Sequence, residues 1–342
     1  MNNSREVQEV LEKYNFNVTD IKLESYKGKK GVWWIDTKEG MKILKKQPNS
    51  KETIEFIVSA LNYLRNKGVQ IPRIIENNQD CKYTVLNSDY YILSEAIIGE
   101  RPDYNKRHEL KVMVRGLAKF HNASIGFIPP NDCKPKVHLG NLIKEHKENI
   151  NKLETFYNEE KQMENHNSFG TKILEEFPHF YDRMQSSIKQ LNESCYIEWT
   201  GRMSSLGCLC HQDFAAGNLV LDKEGNLFIL DTDSITIDIP IRDIRKFLNK
   251  VMKKSGRWDY DLAKTILLWY QEINPLDYEQ WLILKSELEY PHLFSGIMSK
   301  YYEQREKSWT EQKYLSRLKE MCEIEKLAEQ IINNFESIIP TT

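Results

Sequence analysis

The stretch "HQDFAAGN", His211 to Asn218, is followed shortly by "ILDTD", Leu230 being flanked by Ile229 and Asp231. Between them, "NLVL" and "NLFIL" read as two short strands joined by "DKEGN", a glycine-containing hairpin loop. Asn218 and Asp231 lie symmetrically about the Glu224–Gly225 step. A regular hairpin would set them opposite each other at its open end, and Asp213 sits on the loop entering that end. Two carboxylates and an amide oxygen then converge. Mg²⁺ takes one or two protein carboxylates together with phosphate oxygens, so Asn218 and Asp231 are its candidate ligands. Asp213 is left to orient an acceptor hydroxyl and to take its proton. Asp and Asn also favour plain loops, but spacing and hairpin together point to phosphoryl-transfer chemistry. Asp233 reads as a loop cap or solvent-facing carboxylate and a weaker metal candidate.

Such residues need elements to hold them. Apolar positions recur at helical spacing from Ser4 to Tyr14. The run "DIKLESYKGKKGVWWIDTKEGMKILKKQP" then changes period: three β-rich segments are separated first by Gly28 and Gly31, then by Lys38-Glu39-Gly40. This predicts an antiparallel meander. Ser50 caps a predicted helix running to about Lys67 and ending at Gly68. "VQIPRII" and "YTVLNSDYYILSEAI" add strands, with Asn87-Ser88-Asp89 at a turn. This first region reads β-β-β-α-β-β. From Asn105 helices dominate. "NKRHELKVMVRGLAKFHNAS" is amphipathic, and Leu139 to Leu191 is helical and charged with a break near Asn165–Gly170. Further helices are predicted over Arg242–Lys254, Asp259–Glu272, Glu279–Glu289, His292–Glu306 and Lys313–Phe335. The expected class is α+β, with a β-rich lobe over residues 1–98 and a mostly helical lobe over 99–342.

Composition bounds the function. The 342 residues suit one large or two medium domains, and 40% hydrophobic with 29% charged residues is globular. A net charge of -2 demands no nucleic-acid partner. The start "MNNSREVQEVLEKYNF" lacks a basic region followed by an apolar core, and no apolar run is long enough to cross a bilayer. The cysteines, at 81, 133, 195, 208, 210 and 322, are scattered and form no disulfide framework.

The pattern His-x-Asp-x-x-x-x-Asn, then a hairpin and an apolar-Asp, is the kinase catalytic-loop pattern. "HQDFAAGN" with "ILD" resembles the aminoglycoside phosphotransferase and choline kinase branch of the protein kinase-like superfamily. "LAKFHNASIGFIPP", "RWDYDLAKTILLWYQEINPL" and "ELEYPHLFSGIMSKYYEQREKSW" resemble the CotS-type spore coat proteins of endospore-forming bacteria, in the same superfamily. The resemblance runs from Leu23 to Glu329. It implies a bilobal kinase-like fold with a nucleotide-binding first lobe and an acceptor site in the second. It implies Asp213 as catalytic aspartate, Asn218 and Asp231 as metal ligands, and His211 as a structural hydrogen-bonding residue. Asp243, in "IRDIRKFL", matches the position that braces the catalytic loop.

"KILK" occupies the place of the kinase Val-Ala-Ile-Lys, making Lys45 the phosphate-binding candidate. Strand alternation puts Lys45 and Ile43 on one face and Leu44 on the other. The alternative is that Lys42, Lys45 and Lys46 are ordinary surface charges. A partner glutamate is expected on the following helix, near Ile57, where this chain is apolar. Glu52 and Glu55 are at hand, and Glu55 either serves from an adjacent turn or is a solvated helix carboxylate. "SEAIIG" takes the hinge position, where backbone groups of Glu95 and Ile97 would meet an adenine ring. Gly28 and Gly31 either let backbone amides approach phosphates or form a plain hairpin turn.

Other conspicuous residues have plainer readings. Cys208, Cys210 and His211 lack a second Cys/His pair at zinc spacing, so two cysteines on one face of a buried strand is the better account. His121 reads as a satisfied core histidine. Trp33 and Trp34 alternate faces, so one is core. The aromatics of "YPHLFSGIMSKYYEQREKSW" read as helical core that could also line an acceptor cleft. The expected function is ATP- and Mg²⁺-dependent phosphoryl transfer to a hydroxyl acceptor. The alternative is a non-catalytic scaffold for coat assembly. The resemblance also implies other coat proteins as partners, and the sporulating cell's cytoplasm, then the spore coat, as location.

Overall fold

The computed structural model describes residues 2–340. The chain divides into two compact units. One comprises Met1–Pro102, Gly126–Lys136 and Ala216–Thr236; the other comprises Asp103–Ile125, Val137–Ala215 and Ile237–Thr342. The first unit thus runs on past residue 98 to Pro102 and takes in two later segments. It recruits the predicted hairpin, because Leu221 and Glu100 exchange backbone hydrogen bonds of 2.8 and 2.9 Å, and Ile229 N–H donates to Gln70 O at 2.9 Å. Gly99 permits this approach: a Cβ there would lie 2.0 Å from Leu221 O.

The first unit is built on α1 (Asn2–Leu11), β1 (Val18–Lys27), β2 (Lys30–Thr37), β3 (Lys42–Gln47), α2 (Lys51–Asn66), β4 (Thr84–Leu86) and β5 (Asp89–Glu95). The hairpin adds β6 (Leu219–Leu221) and β7 (Leu227–Ile229). The five-stranded sheet runs β1-β2-β3-β5-β4, antiparallel throughout. Strand alternation sorts its faces. Trp33, Ile35, Leu44, Tyr91 and Leu93 form a core with Val7, Val10 and Leu11 of α1. Lys46 points to that side too: it is 6% exposed and its ammonium is held by Glu6 and Asp89. Ile43 and Lys45 take the opposite face. The β4–β5 turn needs left-handed backbone, and Asn87 and Ser88 supply it at φ 50° and 67°.

"VQIPRII" was expected to be a strand, and it is only a fragment of one. Ile74 makes a single bridge to Ser94. Pro72 has no N–H to extend the ladder.

The second unit contains α3 (Arg107–Ser124), α4 (Leu142–Lys161), α5 (Ser168–Glu193), α6 (Tyr196–Leu206), α7 (Ile241–Ser255), α8 (Tyr260–Gln271), α9 (Tyr278–Glu289), α10 (His292–Tyr302) and α11 (Glu311–Asn333). Local capping sets several starts: Asn167, Asp259, Asp277 and Thr310 each accept a backbone N–H from the first turn. The sequence reading missed α6, which buries only Tyr196, Trp199 and Thr200 and shows little periodicity. No helix among the described residues is long and apolar enough to cross a membrane.

A buried polar knot ties α4, α7, α9 and α10 together. The fully buried Glu287 carboxylate meets His146 at 2.9 Å, Arg245 at 3.0 Å and His292 at 3.1 Å. Burial, reinforced by Arg245, pushes the His292 imidazole down from 6.5 to about 3. The unfolded chain therefore takes up a proton below pH 6.5 that the folded chain refuses. This contribution to stability is complete above pH 6.5 and is lost progressively as pH falls toward 3. His292→Gln should melt lower than wild type at pH 7, yet fall less steeply between pH 6.5 and 4.5. Parallel melting curves across that range would show that His292 does not carry the acid sensitivity.

Candidate active site

A mostly apolar pocket lies within the sheet unit. It is lined by Lys45 and Gln47 of β3, by Ile57 and Leu61 of α2, by Glu95 and Ile97, and by Asn218, Asp231 and Asp233. Lys45 Nζ donates to Asp231 Oδ1 at 3.2 Å, joining residues far apart in sequence. Asp231 is in the left-handed region, φ 49° and ψ 55°, at the head of a 3-10 turn over Thr232–Ser234. Aspartate tolerates this backbone better than most residues. Two side chains hold the turn from outside: Gln47 Nε2 donates to Asp233 Oδ1 at 3.0 Å, and Lys136 Nζ donates to Asp233 O at 2.6 Å. Asp233 is therefore a tethering residue, more than a loop cap.

Asn218 closes a 3-10 turn over Ala216–Asn218 and its carbonyl accepts the Leu230 N–H at 2.8 Å. The expected facing pair of Asn218 and Asp231 is corrected by one residue. Leu219 pairs with Ile229, which sets Asn218 opposite Leu230. The cause is local: the Asp222 N–H donates to Asn226 O, and the Asp222 carboxylate accepts the Glu224 and Asn226 amides. These bonds centre the hairpin on Glu224. Asn218 and Asp231 still line one pocket, because the left-handed step at Asp231 redirects the chain.

Glu55 does not pair with Lys45. Its carboxylate accepts the Tyr83 hydroxyl at 3.0 Å and lies 3.7 Å from Lys51. It sits away from the pocket wall, where α2 instead presents Ile57 and Leu61. Glu52 is exposed, and its carboxyl is held below the usual range by Ser50. Glu95 lines the pocket and is paired by Arg73 at 2.6 Å; the next amide, of Ala96, donates to Met41 O. Gly28 and Gly31 make a tight hairpin. Lys27 pairs with Lys30 around a two-residue turn with Gly28 at φ 60°, and a Cβ on Gly31 would overlap the Trp33 ring. Trp33 is core, whereas Trp34 lines the pocket with its indole N–H on Glu24 at 2.9 Å.

The helical unit holds the other part of the motif. His211 is completely buried. The His211 and Gln212 amides donate to the two Asp243 carboxylate oxygens at 2.6 and 2.9 Å, and the Asp213 amide donates to His211 Nδ1 at 3.2 Å. Gln212 has φ 68°, a conformation the paired amides hold in place. Burial works to raise the Asp243 carboxyl, but His121, hydrogen-bonded at 3.1 Å, and the nearby His211 and Lys246 hold it down at about 2. His121 is a satisfied core histidine: its other ring nitrogen meets Tyr270 Oη at 2.8 Å. Lys246 of α7 donates to Gln212 O, and Lys250, one turn on, donates to Asp213 Oδ1 at 2.6 Å. The Asp213 side chain is 53% exposed.

Cys208 and Cys210 are buried, and their Sγ atoms lie against the Asp238 and Ile239 carbonyls. Burial pushes the Cys208 thiol up to about 12 and also raises the Cys210 thiol well above its usual range. Cys210 lies near His121 and Asp243, and both of these already have hydrogen-bond partners, His121 in Tyr270 and Asp243 in the two loop amides.

The family described as "Spore coat putative kinase YutH" matches residues 8–335. The chain belongs to this spore coat family. Among curated proteins, this family member is similar to spore coat protein S of Bacillus subtilis (strain 168). The two are 29% identical over 332 residues, which is 97% of this chain and 94% of that protein. Among solved structures, it resembles an aminoglycoside phosphotransferase from Alicyclobacillus acidocaldarius with a TM-score of 0.81 at 15% identity, covering 97% of this chain and 96% of that one. It also resembles the amicoumacin kinase hAmiN in complex with AMP-PNP and Ca²⁺, with a TM-score of 0.63 at 14% identity over 100% and 96% of the two chains. The YutH-family chain therefore has the kinase-like phosphotransferase fold, with a five-stranded sheet in its N-terminal region and a mostly helical remainder.

Three residues that hold the candidate residues within their own units escaped the sequence reading. Gln47 was within reach, since it follows Lys45 by one strand repeat on the same face. Lys136 and Lys250 carry no local signal, because each reaches its partner from a segment distant in sequence.

Proposed function

We propose that this spore coat family member transfers the γ-phosphoryl group of ATP to a hydroxyl acceptor, with Mg²⁺. The observation that carries the reading is the Lys45–Asp231 contact inside a pocket that Asn218 also lines. In this reading the sheet unit binds nucleotide and the helical unit serves the acceptor. An amide oxygen and a carboxylate beside a lysine fit Mg²⁺ and triphosphate, since hard cations take oxygen ligands and keep phosphate oxygens among them. Asn218 and Asp231 would hold the ion, which neutralises phosphate charge when bound. Lys45 would grip the phosphates, and backbone groups of Glu95 and Ile97 would meet the adenine. Asp213 orients the acceptor. The hydroxyl oxygen attacks the γ-phosphorus, the bond from that phosphorus to the ADP oxygen breaks, ADP leaves with the electron pair, and the hydroxyl proton passes to Asp213. Rate comes from positioning and charge placement.

MgATP should raise the melting temperature, and ATP with a chelator should raise it less. At ~100 times its dissociation constant, MgATP adds roughly 2.7 kcal/mol. No shift at millimolar MgATP would remove the nucleotide reading.

A second reading rests on one observation: α2 offers Ile57 and Leu61 to the pocket where a glutamate partner for Lys45 was expected. That favours a kinase fold retained as a scaffold for coat assembly. Family membership and the resemblance to spore coat protein S support a place in the coat and coat proteins as partners in either case.

A further inference from the structure

We propose that the acceptor hydroxyl is carried on an acidic peptide segment, a serine, threonine or tyrosine flanked by Asp or Glu, and that a lysine stripe on α7 recognises it. This rests on the phosphotransferase reading above.

The stripe begins at the catalytic loop. Lys246 holds Gln212 O and Oε1 at 3.0 and 2.8 Å, and Lys250 holds Asp213 Oδ1 at 2.6 Å. Lys253 and Lys254 continue one turn further, are exposed, and make no ion pair among the described residues. Residues three and four apart share a helix face, so Lys246, Lys250, Lys253 and Lys254 form one row. Basic residues in a last helical turn are common, and Lys253 and Lys254 alone would mean little. Lys250 is different, because it ties the row to Asp213. The only acid on α7 is Asp243, which is buried and turned to the loop amides. Arg257, just past the helix, is already paired with Asp259 at 3.5 Å. The chain as a whole carries a net charge of -2, so the row is a local excess of positive charge.

The Lys250–Asp213 pair has side chains 31% and 53% exposed, and exposed pairs of this kind are weakly held. An acceptor carboxylate can therefore take Lys250 and leave Asp213 to the hydroxyl. A cationic acceptor would instead meet Lys250 head on. From Lys246 to Lys254 the row spans ~12 Å at 1.5 Å per residue. That matches about four residues of extended chain at ~3.3 Å each and exceeds a single small anion.

The test uses the full chain with labelled MgATP and three peptides sharing one serine, flanked by Asp/Glu, by Ala/Gly or by Lys/Arg. Glycerol 3-phosphate is the small anionic comparison, and the MgATP melting shift is read in parallel. The acidic peptide should lead the neutral one by roughly 10-fold in kcat/KM, with the lead shrinking as salt rises. The double variant Lys253→Glu, Lys254→Glu should reverse the order of acidic and basic peptides, and the milder Lys253→Ala, Lys254→Ala should level it. Equal or better transfer to neutral or basic peptides overturns the proposal, as does transfer to glycerol 3-phosphate alone or to no acceptor, while a retained MgATP shift leaves the nucleotide reading standing. Loss of the MgATP shift itself overturns both.

Discussion

Asp213→Asn is expected to keep the MgATP melting shift and to transfer phosphate ~10²–10⁴-fold more slowly, the usual worth of a positioned general base. The substitution preserves size and hydrogen bonding but removes basicity. The loop should keep its shape, because its fixed points are the backbone amides of His211 and Gln212 on Asp243, not the Asp213 carboxylate. The Lys250 contact would weaken, but it is an exposed pair and its loss should cost ~0–1 kcal/mol. Asp231→Asn is the matched comparison. It removes the charged group beside Lys45 and should weaken MgATP binding itself. A scaffold protein predicts no ATP-dependent signal for either variant and normal coat assembly by both. The measurement is labelled-phosphate transfer together with thermal shift. Indistinguishable transfer by wild type and Asp213→Asn, under every acceptor tried, would remove Asp213 from the chemistry.

Asp243→Ala should destabilise the fold by ~3–5 kcal/mol, the range for breaking a buried charged network by removing one partner. Asp243 is 1% exposed and accepts from two amides and from His121. Alanine leaves those donors buried without their acceptor. Its acid sensitivity follows in sign. The carboxyl sits at about 2 in the folded chain against 3.8 ordinarily, so its contribution is complete above pH 3.8 and is lost as pH falls through 2. Asp243→Asn retains an acceptor for one amide and should lose less. In both variants, transfer should drop more than MgATP binding, because the released amides belong to the loop that carries Asp213. Urea unfolding of the two variants checks the stability; a wild-type midpoint for Asp243→Ala would show that the loop is held by something else.

Local pattern carried much of this protein. The β1–β2–β3 meander, the α2 helix and the capped helices α8 and α9 were legible because period and end signals lie within a few residues of each other. The motif residues were legible for the same reason: His211, Asp213, Asn218 and Asp231 sit in one short stretch. The face of Lys45 also followed from strand alternation, with Leu44 in the core behind it.

Tertiary structure decided the partners. Lys45 meets Asp231 instead of Glu55, because pairing across the chain depends on where α2 lies against the sheet, and α2 turns Ile57 and Leu61 to the pocket while Glu55 finds Tyr83. It decided the hairpin register by one residue, through the side-chain bonds of Asp222 that no hydrophobic count contains. It also drew residues 126–136 and 216–236 into the sheet unit, where Lys136 fixes the Asp233 turn. Periodicity records which face of an element is apolar, but a single polar contact between distant segments depends on distances that only the packed chain sets.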